Sequence, residues 1–150
     1  MHLITCLIYQ VRYNLFDQSL QSDGIIDSAA ENGVGFIGFS PLAQGLLTDR
    51  YLGGIPSDSR MAKDPRYLHS DMLTPQVYKR ISRLNDLAEQ RGESLSSMAL
   101  GWILQNQKVT SVIVGASSSG QLSQNLSALH SPKFSDEECS MIDEILNIVE

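Results

Sequence analysis

Three short runs of apolar residues, rich in β-branched side chains, alternate along the chain with segments whose apolar residues recur at helical spacing. The runs occupy residues 3–11, 34–39 and 109–114. Strands that alternate with helices form right-handed βαβ units, so this order predicts a parallel sheet. The first run is almost continuously apolar, and we expect it to be buried on both faces. The third is also expected to be a buried strand.

Helical spacing extends over most of the remaining chain. The predicted helices cover residues 24–32, 75–91, 118–129, a segment that begins at Ser94 and a last helix that begins after Ser135. Ser135 precedes Glu138 by three residues, which is the spacing of a capping box. Residues 40–73 carry many Gly, Pro, Ser and Asp residues and predict a long irregular segment, a feature that is often functional inside a compact domain.

The stretch 109–125 joins a predicted strand to a predicted helix through a turn of Gly and Ser residues. A helix N-terminus attracts anions because its amide groups are unpaired and its dipole is positive there. Two interpretations stay open for this turn. It is either a phosphate-binding site or an ordinary turn whose serines cap a helix.

Gln10 interrupts the apolar run at its carboxyl-terminal end and also permits two interpretations. It either points into a ligand site or forms a hydrogen bond within a loop at the end of the strand. Ligands gather beyond the carboxyl ends of strands in parallel sheets, where Gln10 and the segments 40–45 and 115–125 are all expected. This shared position favours a ligand site.

Composition limits the class of protein further. The chain has 150 residues, enough for a single domain over 1–150, and its net charge of −6 with scattered basic residues argues against nucleic acid as a partner. Cys6 and Cys139 lie far apart, which predicts reduced thiols and no metal site. No apolar run is long enough for a membrane span, so we expect a cytoplasmic location.

Three parallel strands cannot close a barrel, which needs eight strands and about 250 residues. The sheet would keep two open edges with unpaired backbone groups. The chain is therefore expected to form part of a larger fold.

Several ordered motifs resemble the C-terminal half of an aldo-keto reductase. They are Phe39-Ser-Pro-Leu-Ala-Gln-Gly-Leu-Leu47, Arg50-Tyr51, Ile55-Pro56, Ser59-Arg60, Val114-Gly-Ala-Ser117, Gln121 and Gln124-Asn125. The branch they resemble holds bacterial glyceraldehyde-3-phosphate-type aldehyde reductases and β-subunits of voltage-gated potassium channels. The resemblance covers nearly the whole chain, from about Gln10 to the last helix.

This resemblance implies part of a TIM (β/α)8 barrel that reduces aldehydes and ketones with NADPH. The three strands would be the last three of the barrel, with their helices and an extra C-terminal helix. Gln10 would contact the nicotinamide, and the turn with Ser40, Leu42 and Gly45 would pass along the pyrophosphate.

The resemblance also assigns residues to the phosphates and to adenine. Arg50 and Arg60 would lie near the phosphates. The cofactor-binding set after the last strand would be Gly115, Ser117, Gln121, Gln124 and Asn125, around the 2′-phosphate and adenine. Gln124 occupies a position at which the channel branch has an acidic residue. Gly120 and Ser123 are smaller than the residues that the family has at those positions.

The family's catalytic tyrosine, lysine, aspartate and histidine lie on earlier strands, and no segment of this sequence matches them. We therefore expect no carbonyl reductase activity from this chain alone, and a shortened gene or reading frame would explain the absence. Two alternatives remain open. One is a non-catalytic cofactor-binding or interaction module that pairs, through its sheet edges, with a second copy or a separate N-terminal half. The other is a degenerate, truncated remnant.

Overall fold

The computed structural model describes residues 6–57, 59–63 and 69–148, and it contains a small parallel sheet. The strands are β1 (Ile8–Arg12), β2 (Gly35–Phe39) and β3 (Ser111–Val112). Their order in the sheet is β1-β2-β3, with both pairs parallel. The predicted parallel sheet is confirmed, and its strands occur in space in the order of the sequence.

Helices occupy most of the rest of the described chain. The α-helices are α1 (Ser19–Ser22), α2 (Ile25–Glu31), α3 (Arg60–Lys63), α4 (Pro75–Gln90), α5 (Leu95–Gln105), α6 (Ser119–Leu126) and α7 (Asp136–Leu146). Short 3-10 turns cover Ala43–Gly45, Asp49–Tyr51, Ser70–Met72 and Ser127–His130. No helix within the described ranges has the length and apolar character needed to cross a membrane.

Side-chain caps explain where the later helices begin. Oγ1 of Thr74 accepts a hydrogen bond from the Val77 amide at 3.2 Å, one turn into α4. Ser135 and Glu138 form a complete capping box at α7, since each side chain accepts a hydrogen bond from the other residue's amide. These bonds satisfy amide groups that the first turn of a helix leaves unpaired.

The hydrophobic core lies beside one face of the sheet. One cluster joins α4, α5 and α7, and its fully buried members include Ile81, Leu84, Leu95, Met98 and Ile142. A second cluster joins the sheet to α2 and α5 through Tyr13, Ile26, Phe36, Ile103 and Val109. The helices therefore cover one side of the sheet and leave the opposite side open.

The burial predicted for β1 is wrong. Ile8 is 55% exposed and Tyr9 is 39% exposed, while Val11 is half-buried. Successive side chains on a strand point to opposite faces, so Ile8 lies on the face that the helices leave open. Tyr9 shares a face with its neighbour Phe36 and stays exposed because β1 is an edge strand of the described sheet. Residues 3–5 of the predicted strand lie outside the described residues.

The third strand is shorter and more exposed than predicted. Its ladder covers Ser111–Val112 instead of 109–114, and Ile113 is 48% exposed. β3 is an edge strand and therefore has one neighbouring strand. One face of the sheet is also uncovered, so β3 has little apolar surface to pack against.

Helix α6 also presents apolar residues to solvent. Leu122 and Leu126, one turn apart, are 44% and 52% exposed, and Leu129 in the following turn is 68% exposed. The buried residues of this stretch are Asn125 and Ala128. One of the two buried residues of this stretch is therefore a polar residue, Asn125.

We expect Leu84→Ala to lower the free energy of unfolding by about 2–5 kcal/mol, because it leaves a cavity among fully buried side chains. Urea unfolding followed by circular dichroism measures this change. Leu122→Ala is the matched control and should cost about 0.5 kcal/mol or less, since its side chain is partly exposed. Equal losses for the two variants would contradict the described core.

A cluster around Arg91 ties the end of α4 to the start of α7. Its guanidinium lies 2.6 Å from Oε1 of Glu138 and 2.8 Å from Oε2 of Glu93, and it stacks 3.8 Å from the centre of the Phe134 ring. The hydrogen bond from the Ser135 amide, and then the nearby Arg91 charge, lower the pKa of Glu138 from its ordinary value of 4.5.

A lowered folded-state pKa stabilises the protein above the ordinary pKa, and this stabilisation is lost as pH falls through the lower value. The melting temperature should therefore fall as pH drops below 4.5, and part of this fall should disappear in Glu138→Gln. Thermal unfolding of both proteins between pH 7 and pH 3 (roughly the range in which carboxylates titrate) measures the difference. Parallel melting curves at every pH would show that Glu138 does not contribute.

Candidate functional site

A strained turn follows β2 at the carboxyl end of the sheet. Ser40, Ala43 and Gln44 all have positive φ values of 51°, 46° and 59°. Residues other than glycine adopt such angles at a cost, and this strain is often found at functional sites. Asn14, which is buried, donates a hydrogen bond to the Ser40 carbonyl at 3.0 Å and so ties the turn to the segment after β1.

The N-terminus of α6 lies at the same end of the sheet, after β3. Oγ of Ser118 caps the helix by accepting a hydrogen bond from the Gln121 amide at 3.2 Å. The Gln121 side chain folds back, and its Oε1 accepts hydrogen bonds from the Ser117 amide at 2.7 Å and from the Ser117 hydroxyl at 3.1 Å. Two donors thus converge on a single oxygen just before the helix.

A cleft of about 400 Å³ separates α6 from the segment after the strained turn. Three parts of the chain line it: Thr48, Asp49, Arg50 and Pro56; then Ser96; then Gln121, Gln124 and Asn125. The cleft therefore brings together residues that lie more than sixty positions apart in the sequence.

Asn125 is the most informative residue of this cleft. Its side chain is 6% exposed, yet its Nδ2 is buried without a hydrogen-bond partner. A buried donor without an acceptor costs about 1–3 kcal/mol, so native proteins rarely keep one that nothing satisfies. In the described conformation, Nδ2 of Asn125 is thus a buried donor without an acceptor in a residue that lines the cleft.

Hydrogen bonds and close packing fix α6 against α5. Oγ of Ser97 donates to the Gln124 carbonyl at 3.1 Å and lies 2.7 Å from Oγ of Ser127. Gly101 permits the contact farther along α5, since a Cβ there would lie 2.5 Å from Cβ of Ser131. The wall of the cleft is therefore held on a rigid helix pair.

Residues of opposite charge line the cleft. Asp49 and Arg50 belong to the same 3-10 turn, which Thr48 caps by accepting a hydrogen bond from the Arg50 amide at 3.3 Å. A guanidinium suits phosphate oxygens because its fork of donors matches their geometry. No group of three or more His, Cys, Asp or Glu side chains that could hold a metal ion occurs in the described part of the chain.

Tyr13, which follows β1, is a core residue and not a proton donor at the site. Its side chain is 1% exposed, and its hydroxyl donates to Oε1 of Gln21 at 2.5 Å. Burial raises the pKa of Tyr13 above its ordinary value, which is the wrong direction for an acid that must release a proton near neutral pH.

The predicted site residues divide into two groups. Arg50, Gln121, Gln124 and Asn125 line the cleft, and Ser117 reaches it through its bonds to Gln121. Gln10, Ser40, Leu42, Gly45 and Gly115 do not line it. Gln10 lies in the middle of β1, exposed and paired with Ile37, instead of at the strand end.

The remaining predicted residues have other surroundings. Ser40, Leu42 and Gly45 belong to the strained turn, where Leu42 packs on the core. Gly115 is exposed, and a Cβ there would contact nothing. Arg60 begins α3, and its side chain lies outside what the structure describes.

Sequence reasoning missed Thr48, Asp49, Pro56 and Ser96. A Thr-Asp pair inside the irregular segment is a signal for a capped turn that could have identified the first two. Ser96 gave no such signal, because its place in the cleft depends on how α5 packs against α6.

Comparison with known proteins places the chain within one family description. The Aldo/keto reductase family model matches residues 1–147. L-glyceraldehyde 3-phosphate reductase of Escherichia coli (strain K12) is 46% identical over 144 residues, which cover 94% of this chain and 42% of that protein. A probable voltage-gated potassium channel subunit beta of Arabidopsis thaliana is 33% identical over 129 residues, or 85% of this chain and 39% of that protein.

A solved structure supports the fold. A thermostable aldo-keto reductase in complex with the inhibitor epalrestat matches with a TM-score of 0.63 and 24% identity, over 92% of this chain and 39% of that chain. Three parallel strands with their helices thus form part of an α/β barrel, as predicted. The chain spans about two fifths of the length of these relatives.

Proposed function

We propose, from the premise that this chain belongs to the aldo/keto reductase family of oxidoreductases, that its cleft holds the adenosine 2′-phosphate end of NADPH. The unpartnered Nδ2 of Asn125 carries this proposal, because adenine and ribose offer several acceptors to a buried amide donor. The capped N-terminus of α6 and Arg50 supply the positive potential that a phosphate requires.

The strained turn after β2 lies along the pyrophosphate in this proposal, and Gln10 holds the nicotinamide amide. NADPH supplies the hydride for carbonyl reduction when it is bound. The residues of this chain bind and orient the cofactor: Asn125 and Gln124 hold adenine, and Ser117 and Gln121 face the 2′-phosphate. In this proposal Arg50 and Arg60 bind the phosphates, as the resemblance to the family implies.

The chain by itself does not reduce carbonyl compounds in this proposal. Its sequence contains no segment that matches the family's catalytic tyrosine, lysine, aspartate and histidine. In this proposal the chain is the cofactor-binding part of a complete barrel that reduces carbonyl compounds. Its substrate is an aldehyde such as the L-glyceraldehyde 3-phosphate named for the Escherichia coli relative. Cys6 and Cys139, both free thiols, suit a reducing cytoplasm.

A second proposed function rests on the open sheet edge. In the described sheet β1 is an edge strand. Leu7, which precedes it, is 74% exposed, and Ile8, its first residue, is 55% exposed. An apolar edge strand is a template for pairing with another chain, so the chain also serves as an interaction module for a second copy or a separate N-terminal half.

NADPH should raise the melting temperature of the isolated chain, with about 2.7 kcal/mol of stabilisation at one hundred times its Kd. Asn125→Leu should weaken NADPH binding about tenfold, as expected for one lost hydrogen bond, while leaving the free chain equally or more stable because a buried unpaired donor is gone. Thermal shift and calorimetric titration measure both effects.

Asn147→Leu is the matched control, since Asn147 is exposed at the end of α7 and does not line the cleft. An unchanged melting temperature at all NADPH concentrations would contradict cofactor binding, and a non-cooperative melt would favour the degenerate remnant.

The pure protein should not oxidise NADPH when a reactive aldehyde is added, so the absorbance of NADPH should stay constant. Measurable turnover would contradict the proposal that this chain lacks the catalytic residues of the family.

Light scattering should show a mass above that of the monomer that rises with protein concentration. Ile8→Lys should return the protein to a monomer, because a charge on an edge strand opposes pairing. Gln107→Lys, at an exposed loop position, is the control and should leave association unchanged. A wild-type chain that stays monomeric at every concentration would contradict pairing between copies.

A further inference from the structure

Arg12 is the last residue of β1 and lies on the face of the sheet that the helices leave open. Side chains along a strand alternate between the two faces, so Arg12 shares its face with Ile8 and Gln10. Its partner across the ladder is Phe39, which ends β2 directly before the strained turn. A cation therefore lies at the carboxyl end of the sheet, two residues after Gln10.

Asp17 holds the guanidinium of Arg12 by one edge. Nε of Arg12 donates a hydrogen bond to Oδ2 of Asp17 at 2.6 Å, and the Ser19 hydroxyl donates to Oδ1 of Asp17 at 3.0 Å. The backbone of Asp17 is paired with Asn14, the buried residue that also donates to the Ser40 carbonyl. Asp17 is therefore fixed by both its backbone and its side chain.

Most donors of the Arg12 guanidinium remain unpaired. Its two Nη groups have no hydrogen-bond partner among the residues that the structure describes, and the side chain is 61% exposed. A guanidinium carries five donors in a planar fork, and two parallel donors match the oxygens of a phosphate. Asp17 thus orients the fork through Nε and leaves the two Nη groups for a ligand.

We propose that Arg12 is a specificity-determining residue that binds the phosphate of a small phosphorylated aldehyde. The inference rests on the function proposed above, in which Gln10 holds the nicotinamide amide, and it names the residue that recognises the substrate. Gln10 and Arg12 lie about 7 Å apart along the strand, at about 3.3 Å per residue. This separation suits a small molecule whose carbonyl lies at the nicotinamide while its phosphate contacts Arg12.

The other side chains on the open face carry no charge. Among the described strand residues they are Ile8, Gln10, Ile37, Phe39 and Ser111, since paired positions share a face. The whole chain has a net charge of −6, which opposes the approach of an anion. Arg12 is therefore the group on the described open face that attracts a phosphate, although the Asp17 carboxylate offsets part of its charge.

The test titrates glycerol 3-phosphate into the isolated chain saturated with NADPH, because this ligand has a phosphate but no carbonyl group to reduce. Arg12→Gln should weaken glycerol 3-phosphate binding about tenfold, since charge-assisted hydrogen bonds to the phosphate are lost, and should leave NADPH binding unchanged. Arg12→Lys should recover part of the affinity, since it keeps the charge without the fork. Calorimetric titration measures each affinity.

Arg83→Gln is the matched control, because Arg83 is exposed on α4 and the substitution removes the same charge. It should leave the affinity for glycerol 3-phosphate unchanged. Arg12→Gln should melt close to the wild-type temperature, because a largely exposed ion pair contributes little to stability. Glycerate, which has a carboxylate in place of the phosphate, should bind more weakly than glycerol 3-phosphate, and the opposite order would overturn phosphate recognition.

The outcomes separate this inference from the cofactor proposal. Equal affinity of Arg12→Gln and the wild-type chain for glycerol 3-phosphate, with NADPH binding intact, would overturn the role of Arg12 while the cofactor site stands. Weaker NADPH binding by Arg12→Gln but not by Arg83→Gln would overturn it as well, since Arg12 would then contact the cofactor. A wild-type chain that binds no NADPH would overturn the cofactor site, and the substrate site would fall with it.

Discussion

Parallel hydrogen bonding between β1, β2 and β3 determines where every candidate functional residue lies. It places the carboxyl ends of the three strands at the same end of the sheet, so that the turn after β2 and the helix after β3 both lie at that end. The cleft forms between these two segments. Without this pairing, Arg50 and Asn125 would have no reason to meet, since 74 residues separate them in the chain (125 − 50 − 1).

At the carboxyl end of the sheet, a strained backbone turn lies next to segments that are held firmly by neighbouring side chains. Ser97 holds α6 against α5, Gly101 lets Ser131, which follows α6, pack closely on α5, and Asn14 holds the strained Ser40 turn. Such support allows backbone angles and an unpaired Asn125 amide that would be unfavourable in isolation. The polar inward face of α6 is understandable on the same basis, because it faces the cleft instead of an apolar core.

The uncovered face of the sheet has a different consequence. Helices pack against one side, and the second hydrophobic cluster ends there. Ile8 on β1 and Ile113 after β3 remain open on a chain that spans about two fifths of its relatives' length. The apolar surface that defines these strands in the sequence is therefore surface that this chain cannot bury alone.

The sequence by itself determined the order of strands and helices, the cap at Ser135, and the family, because these depend on residue type and spacing along the chain. It also predicted cofactor contacts for Arg50, Gln121, Gln124 and Asn125, which lie together in one cleft; their role there stays a prediction. The tertiary structure alone decided that β1 is exposed, that Gln10 lies outside the cleft, that Ser96 lies in it and that Gln121 occupies the donors of Ser117. Burial and side-chain contacts depend on which elements pack together, and spacing along the sequence does not contain that information.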